Sequence, residues 1–164
     1  MKSLGKSIGS ISIGALAGLV IEECTIGQKR RATEKATADS LAKMQEFYEL
    51  LLRWISVHQK GRKLSDYFKT NGYSSVAIYG MKELGEALQD EFRGSEIEVK
   101  YGIDRDANSI YSDIDVYRPE EAPDDVDIVV VTAIHYYDEI EDDLRARLSC
   151  KIVSLEDVIE EVVR

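Results

Sequence analysis

Eleven residues, Ser75 to Gly85 (SVAIYGMKELG), constrain this chain more than any other stretch. An apolar, β-prone run meets Gly80 and Gly85 at once, and Met81, Leu84, Leu88 and Phe92 continue at helical spacing. The pattern is that of a strand turning sharply into a helix. The first glycine permits the tight turn, the last lets helix and strand pack closely, and the free N–H groups opening the helix can hold a phosphate. Asp104 lies 24 residues beyond Gly80, at the end of VKYGID. A carboxylate so placed can accept hydrogen bonds from ribose hydroxyls. In GxGxxG the middle glycine lets a pyrophosphate approach the backbone, but Lys82 holds that place here. Its side chain either blocks the approach or supplies the charge itself. The competing reading is an empty βα turn, which needs glycines at the same spacing for structural reasons alone.

The rest of the chain frames this turn. Thr33 to Gln59 reads as one long helix, with Leu41, Met44, Tyr48, Leu51, Ile55 and His58 on one stripe, Phe47 and Trp54 beside it, and Gly61 as the stop. The near-heptad spacing suits packing on the body or pairing with a second copy, so a homo-oligomer through residues 33–59 is expected. His58 ends the stripe as an interfacial histidine, and Trp54 reads as core. Leu64 to Thr70 forms a short helix ending at Asn71 and Gly72. After the glycine turn come a helix over 81–93, a strand over 97–103, a weak third strand over 115–118 stopped by Pro119, and DIVVVTA (127–133). That last run is apolar on successive positions, as in a strand covered on both faces. A helix over 136–148, a strand over 151–153 and a helix capped by Ser154, with Leu155, Val158, Ile159 and Val162 inward, complete the chain.

Alternating strands and helices with short links predict an α/β fold: a Rossmann-like parallel five-stranded sheet in the order 3-2-1-4-5, preceded by a long helix and an N-terminal hydrophobic segment. The expected division is 1–32 (hydrophobic anchor and basic flank), 33–62 (long amphipathic helix) and 63–164 (Rossmann-like domain). The crevice of such a sheet opens at the carboxyl ends of strands one and four. It gathers Gly80, Met81, Lys82 and Gly85 at phosphate, Asp104 at ribose, and Thr132 and His135 from TAIHYYD as the remaining wall.

Charge is unevenly placed. The net charge is −10, yet residues 1–35 carry six Lys/Arg against three Glu. An acidic body without a basic stripe argues against nucleic acid as the partner. The basic residues flank Ile8 to Ile21, 14 residues without a charge that contain Gly14 and Gly18 as GxxxG. Residues 4–21 are short for a span but sufficient for membrane contact if Lys6 snorkels, and GxxxG lets two such helices approach closely. A cleaved signal segment and a helix buried in an oligomer are the alternatives. Positive charge just after the run places the remainder on the cytoplasmic side of a bacterial inner membrane, with a cytoplasmic protein as the alternative. GKS at Gly5–Ser7 is no P-loop, because the distal glycine would precede residue 1. Two distant cysteines and two histidines offer no metal-ligand spacing.

No catalytic set is legible. A dehydrogenase needs groups that hold substrate against the nicotinamide and move a proton, and no tyrosine has a lysine four positions on. An oxidoreductase is therefore the weaker expectation beside a binding module or an oligomeric scaffold with an empty domain.

The runs AIYGMKELGEAL, VKYGIDRDANSIYSDIDVYRPEE, VDIVVVTAIHYYDEIEDDL and IVSLEDVI resemble small Rossmann-like domains of bacterial cell-envelope polysaccharide proteins. Such domains are appended to glycosyltransferases, sugar acyltransferases and sugar-nucleotide C-methyltransferases. The likeness covers Leu64 to the C-terminus; Gly80, Gly85 and Asp104 match the usual glycine turn and acid, and Lys82 departs from it. The resemblance implies handling of NAD(P) or a UDP-sugar in envelope polysaccharide synthesis.

Overall fold

A computed structural model describes the backbone of residues 9–164 and the side chains of residues 29–164. The elements follow the order α1 (Gly9–Gln59), α2 (Ser65–Asn71), β1 (Ser75–Tyr79), α3 (Glu83–Phe92), β2 (Glu98–Ile103), β3 (Val116–Tyr117), β4 (Ile128–Val131), α4 (Tyr137–Arg145), β5 (Lys151–Ser154) and α5 (Leu155–Val163). The five strands form one sheet in the order β3-β2-β1-β4-β5, every pair parallel. The expected fold class is therefore the observed one.

The chain divides into two compact units, Met1–Glu46 and Phe47–Arg164. In the first, every residue from Lys29 to Glu46 is exposed. The expected membrane-contacting stretch, residues 4–21, lies outside the residues whose side chains are described. Among the described residues no helix is long and apolar enough to cross a membrane.

In the second unit the strands are apolar on both faces, and strand alternation sorts their side chains into two layers. Val76, Ile78, Ile128, Val130 and Val153 pack with α2, α3, α5 and the end of α1. Ala77, Tyr79, Tyr101, Ile103, Val129, Val131 and Ile152 pack with Ile140, Leu144 and Leu148 in and beyond α4. The caps fall where the sequence puts glycine or serine. Gly72 ends α2 in the left-handed region at φ 77°, and the Ser154 hydroxyl accepts the Glu156 amide opening α5.

The face of α1 that packs on the body is not the near-heptad stripe. Leu50, Trp54 and Val57 are buried against the sheet-bearing body, whereas Leu41, Met44, Tyr48 and Ile55 of the expected stripe are exposed, as is Leu52. Both sets recur at helical spacing. The body is contacted by the set that carries Trp54, whose indole N–H donates to Glu91 Oε2 at 3.4 Å.

Glu91 ties three elements together. Its carboxylate, 8% exposed, meets His58 Nε2 at 2.8 Å and accepts the Leu64 amide at 3.1 Å as the chain enters α2. His58 is thus the interfacial residue expected. Removing a buried acceptor leaves its donors unpaired, so Glu91→Ala is expected to cost about 2–4 kcal/mol in denaturant unfolding, and Glu91→Gln less, because it keeps one acceptor oxygen.

At the amino ends of β1 and β4, one Asp127 oxygen accepts the Ser74 and Ser75 amides, each at 2.8 Å, and the Ser74 hydroxyl at 3.0 Å. The two amide bonds are the main cause that holds its pKa down to about 2. A depressed carboxylate contributes stability above its unfolded pKa, near 3.9, and loses it as pH falls through the folded value. The stability gap between the parent chain and Asp127→Asn is expected to be constant above about pH 5 and to close between about pH 4 and 2, as read by urea titrations at each pH.

Candidate nucleotide cleft

The chain leaves β1 at Tyr79 and reverses at Gly80, whose φ of 92° lies where side chains are rarely tolerated. Space forbids one too: an added Cβ would lie 2.6 Å from Thr132 Oγ1. That hydroxyl is 3.0 Å from the Tyr79 carbonyl oxygen and 2.6 Å from that of Gly80. With a single proton to donate, it is shared between the two and pins the end of β4 to the turn.

Gly85 serves close packing. A Cβ there would sit 2.1 Å from the Gly80 carbonyl oxygen, so the first turn of α3 lies directly on the glycine turn. Met81 points its side chain inward, 1% exposed, over Gly102; a Cβ on Gly102 would come within 2.6 Å of Met81 Cγ. Only the backbone of Met81 therefore faces the site.

Asp104 sits at the end of β2, 8% exposed. Its Oδ2 accepts the Met81 amide at 3.0 Å and its Oδ1 accepts the Asp106 amide at 2.9 Å. The acid and the turn thus occupy the same side of the sheet, in direct contact. An ionised carboxylate has about four acceptor positions, and two are used here, which leaves capacity for two hydroxyl donors. The Met81 N–H, by contrast, is spent on the protein's own carboxylate, so it is not a phosphate donor.

Lys82 is the N-cap residue of α3, extended at φ −88° and ψ −156°, with no side-chain cap bond. It is exposed and lines the cleft, where its ammonium pairs with no carboxylate among the described residues. Among the described residues no side chain caps the opening N–H groups of α3, which lie beside this lysine. That combination suits an anion.

These groups border a cleft of about 340 Å³. Gly80, Lys82, Asp104 and Thr132 line it, together with Phe47, Tyr79, Glu83, Leu84, Arg105, Asp106, Ala133, Tyr136 and Ile140. Met81 and Gly85 shape the turn from behind. His135, half-buried in the 3₁₀ turn Ile134–Tyr136, is not among the lining residues; its neighbour Tyr136, 51% exposed, takes that position. The Arg105 guanidinium lies near the Tyr79 hydroxyl. Burial raises the pKa of that hydroxyl, and the guanidinium pulls it back down. Among the described residues no group of three His, Cys, Asp or Glu is placed to hold a metal ion.

No protein-family model, curated protein or solved structure matches the chain. The site is therefore read from its own geometry.

Arg105 and Gly102 are the residues that motif reading passes over, whereas Tyr136 stands in TAIHYYD, the loop the sequence places at the mouth of the cleft. Adjacency to Asp104 was a usable signal for Arg105. Gly102 lies two positions before Asp104, and strand alternation marks it as facing the same layer as the acid. Nothing in the local sequence separates Tyr136 from His135, because a 3₁₀ turn rotates successive side chains by about a third of a revolution.

Proposed function

We propose that the sheet-bearing unit holds a nucleotide or sugar nucleotide, NAD(P) or a UDP-sugar, in the cleft at the carboxyl ends of β1, β2 and β4. The observation that carries this reading is the hydrogen bond from the Met81 amide to Asp104, which fixes an acid with spare acceptor capacity against the glycine turn. In the proposed complex Asp104 accepts the ribose hydroxyls. Lys82 and the uncapped start of α3 meet the phosphate, and Tyr136 and Phe47 supply apolar walls. The lysine then replaces the close backbone approach of a middle glycine with a mobile positive charge.

The wider setting rests on sequence. The resemblance to envelope-polysaccharide domains supports a role in handling an activated sugar, and the basic-flanked run at 4–21 supports attachment to the inner membrane with the sheet on the cytoplasmic side. Holding or presenting the ligand, rather than converting it, accords with the absence of a legible catalytic set in the sequence.

Calorimetry and thermal shift of the full chain against NADH, NADPH, UDP-glucose and UDP-N-acetylglucosamine test the reading. Saturable binding of one of them is expected, weakened about tenfold by Lys82→Ala, the scale of one charge-assisted hydrogen bond. Silence with the whole panel would remove the proposal.

A further inference from the structure

The charges around the cleft gather at one end of it. Among the described residues that line it, the charged ones come from two neighbouring stretches: Lys82 and Glu83 at the start of α3, and Asp104, Arg105 and Asp106 just after β2. The rest of the lining is uncharged, and it comes from both faces of the sheet. Phe47 and Leu84 pack in the layer of α3 and α5, Ala133 and Ile140 in that of α4. The cleft is therefore a slot between two apolar walls.

Phe47 reaches the slot because the end of α1 lies in the groove between α3 and α5. The Trp54 indole N–H donates to Glu91 of α3, and the Arg53 guanidinium pairs with Glu156 at 3.0 Å and Glu160 at 2.9 Å on α5. Phe47 comes about two turns earlier, on the side of the helix that carries Trp54. Its half-buried side chain lines the cleft together with Gly80 and Thr132, at the carboxyl ends of the strands. Tyr136, the N-cap residue of α4 and itself exposed, lines the same cleft.

Strand order sets the order of groups along a ligand. The sheet runs β2-β1-β4, so with ribose at Asp104 beyond β2 and phosphate at Lys82 beyond β1, whatever the phosphate carries falls beyond β4, between Phe47 and Tyr136. Given the nucleotide reading, on which this rests, we infer that the group there is a flat heteroaromatic ring, so that of the two ligand classes proposed above the cleft takes the dinucleotide NAD(P) and not a UDP-sugar. A ring presents two apolar faces to two apolar walls and stacks on aromatic side chains. A hexose would instead turn hydroxyls toward Phe47, Ala133 and Ile140, whose side chains offer no hydrogen-bond partner, and hydroxyls shielded from water without one are unfavourable. The Thr132 hydroxyl gives no donor to such a sugar, because its single proton is shared between the Tyr79 and Gly80 carbonyls.

The test is calorimetry of the full chain with NADH, ADP-ribose and UDP-glucose. ADP-ribose keeps both phosphates and both riboses and lacks only the nicotinamide ring. NADH is expected to bind about tenfold or more tighter than ADP-ribose, the scale of one base stacked on an aromatic side chain, and tighter than UDP-glucose. Tyr136→Ala and Phe47→Ala should each weaken NADH about tenfold and leave ADP-ribose within about twofold. Tyr136 is exposed, so its variant is expected to keep the parent's unfolding midpoint and remains a fair test where Phe47→Ala loosens α1. ADP-ribose or UDP-glucose binding as tightly as NADH, or a Tyr136→Ala loss no greater for NADH than for ADP-ribose, would overturn the ring assignment and leave the nucleotide reading standing. Silence with all three ligands would end both.

Discussion

Replacing Gly85 with alanine is expected to destabilise the sheet-bearing unit by about 3 kcal/mol or more, the range of severe overpacking. The added methyl would meet the Gly80 carbonyl oxygen at 2.1 Å and its carbon at 3.0 Å, both backbone atoms. No rotamer change relieves such a contact; α3 must move off the sheet, or the glycine turn must open. Either movement also disturbs the Met81 amide and its bond to Asp104. Gly94→Ala is the control, because Gly94 has a positive φ of 74° but open space around it. It isolates conformational strain at about 1 kcal/mol. Denaturant unfolding followed through Trp54 fluorescence reads both. Equal costs at the two sites would show that α3 does not rest on the turn as closely as described.

Asp104 is expected to matter twice. In Asp104→Ala the buried Met81 amide and the part-buried Asp106 amide lose their acceptor, at a cost of about 2–3 kcal/mol, most of it from Met81. Asp104→Asn keeps one acceptor oxygen and is expected to cost about half as much, since its amide nitrogen cannot accept from the second N–H. Ligand binding should respond differently. Both variants should lose at least about tenfold in affinity, because an amide is a poorer partner for paired hydroxyls than a carboxylate. The asparagine chain, folded but weakly binding, separates the two roles. An asparagine chain that binds as tightly as the parent would assign Asp104 to structure alone.

Much of this architecture is legible before any coordinates. The strand order follows from alternating elements and handed crossovers, and Gly80, Gly85 and Asp104 sit where a strand–turn–helix demands them. What stays hidden depends on tertiary choice. Two stripes on α1 satisfy helical spacing equally well, and periodicity cannot tell which meets the body; Leu50 and Val57 do, while Leu41 and Met44 stay exposed. Thr132 is correctly placed at the cleft, but its hydroxyl is committed to two carbonyls across a neighbouring strand, a pairing invisible in one dimension. Met81 reads as a phosphate neighbour, yet its side chain fills the gap that Gly102 leaves. Lys82 shows the converse: a departure from the glycine pattern that, in three dimensions, stands exposed beside an uncapped helix start.

The most direct measurement is a two-dimensional ¹H–¹⁵N titration of the full chain with NADH and with UDP-glucose, following the amides of Gly80, Lys82, Glu83 and Asp106. Saturable shifts at these four with one of the ligands, reached in Asp104→Asn only at about tenfold or more higher ligand concentration, are what the cleft geometry predicts. Unmoved amides at the glycine turn, with shifts confined to other surfaces or none at all, would contradict it.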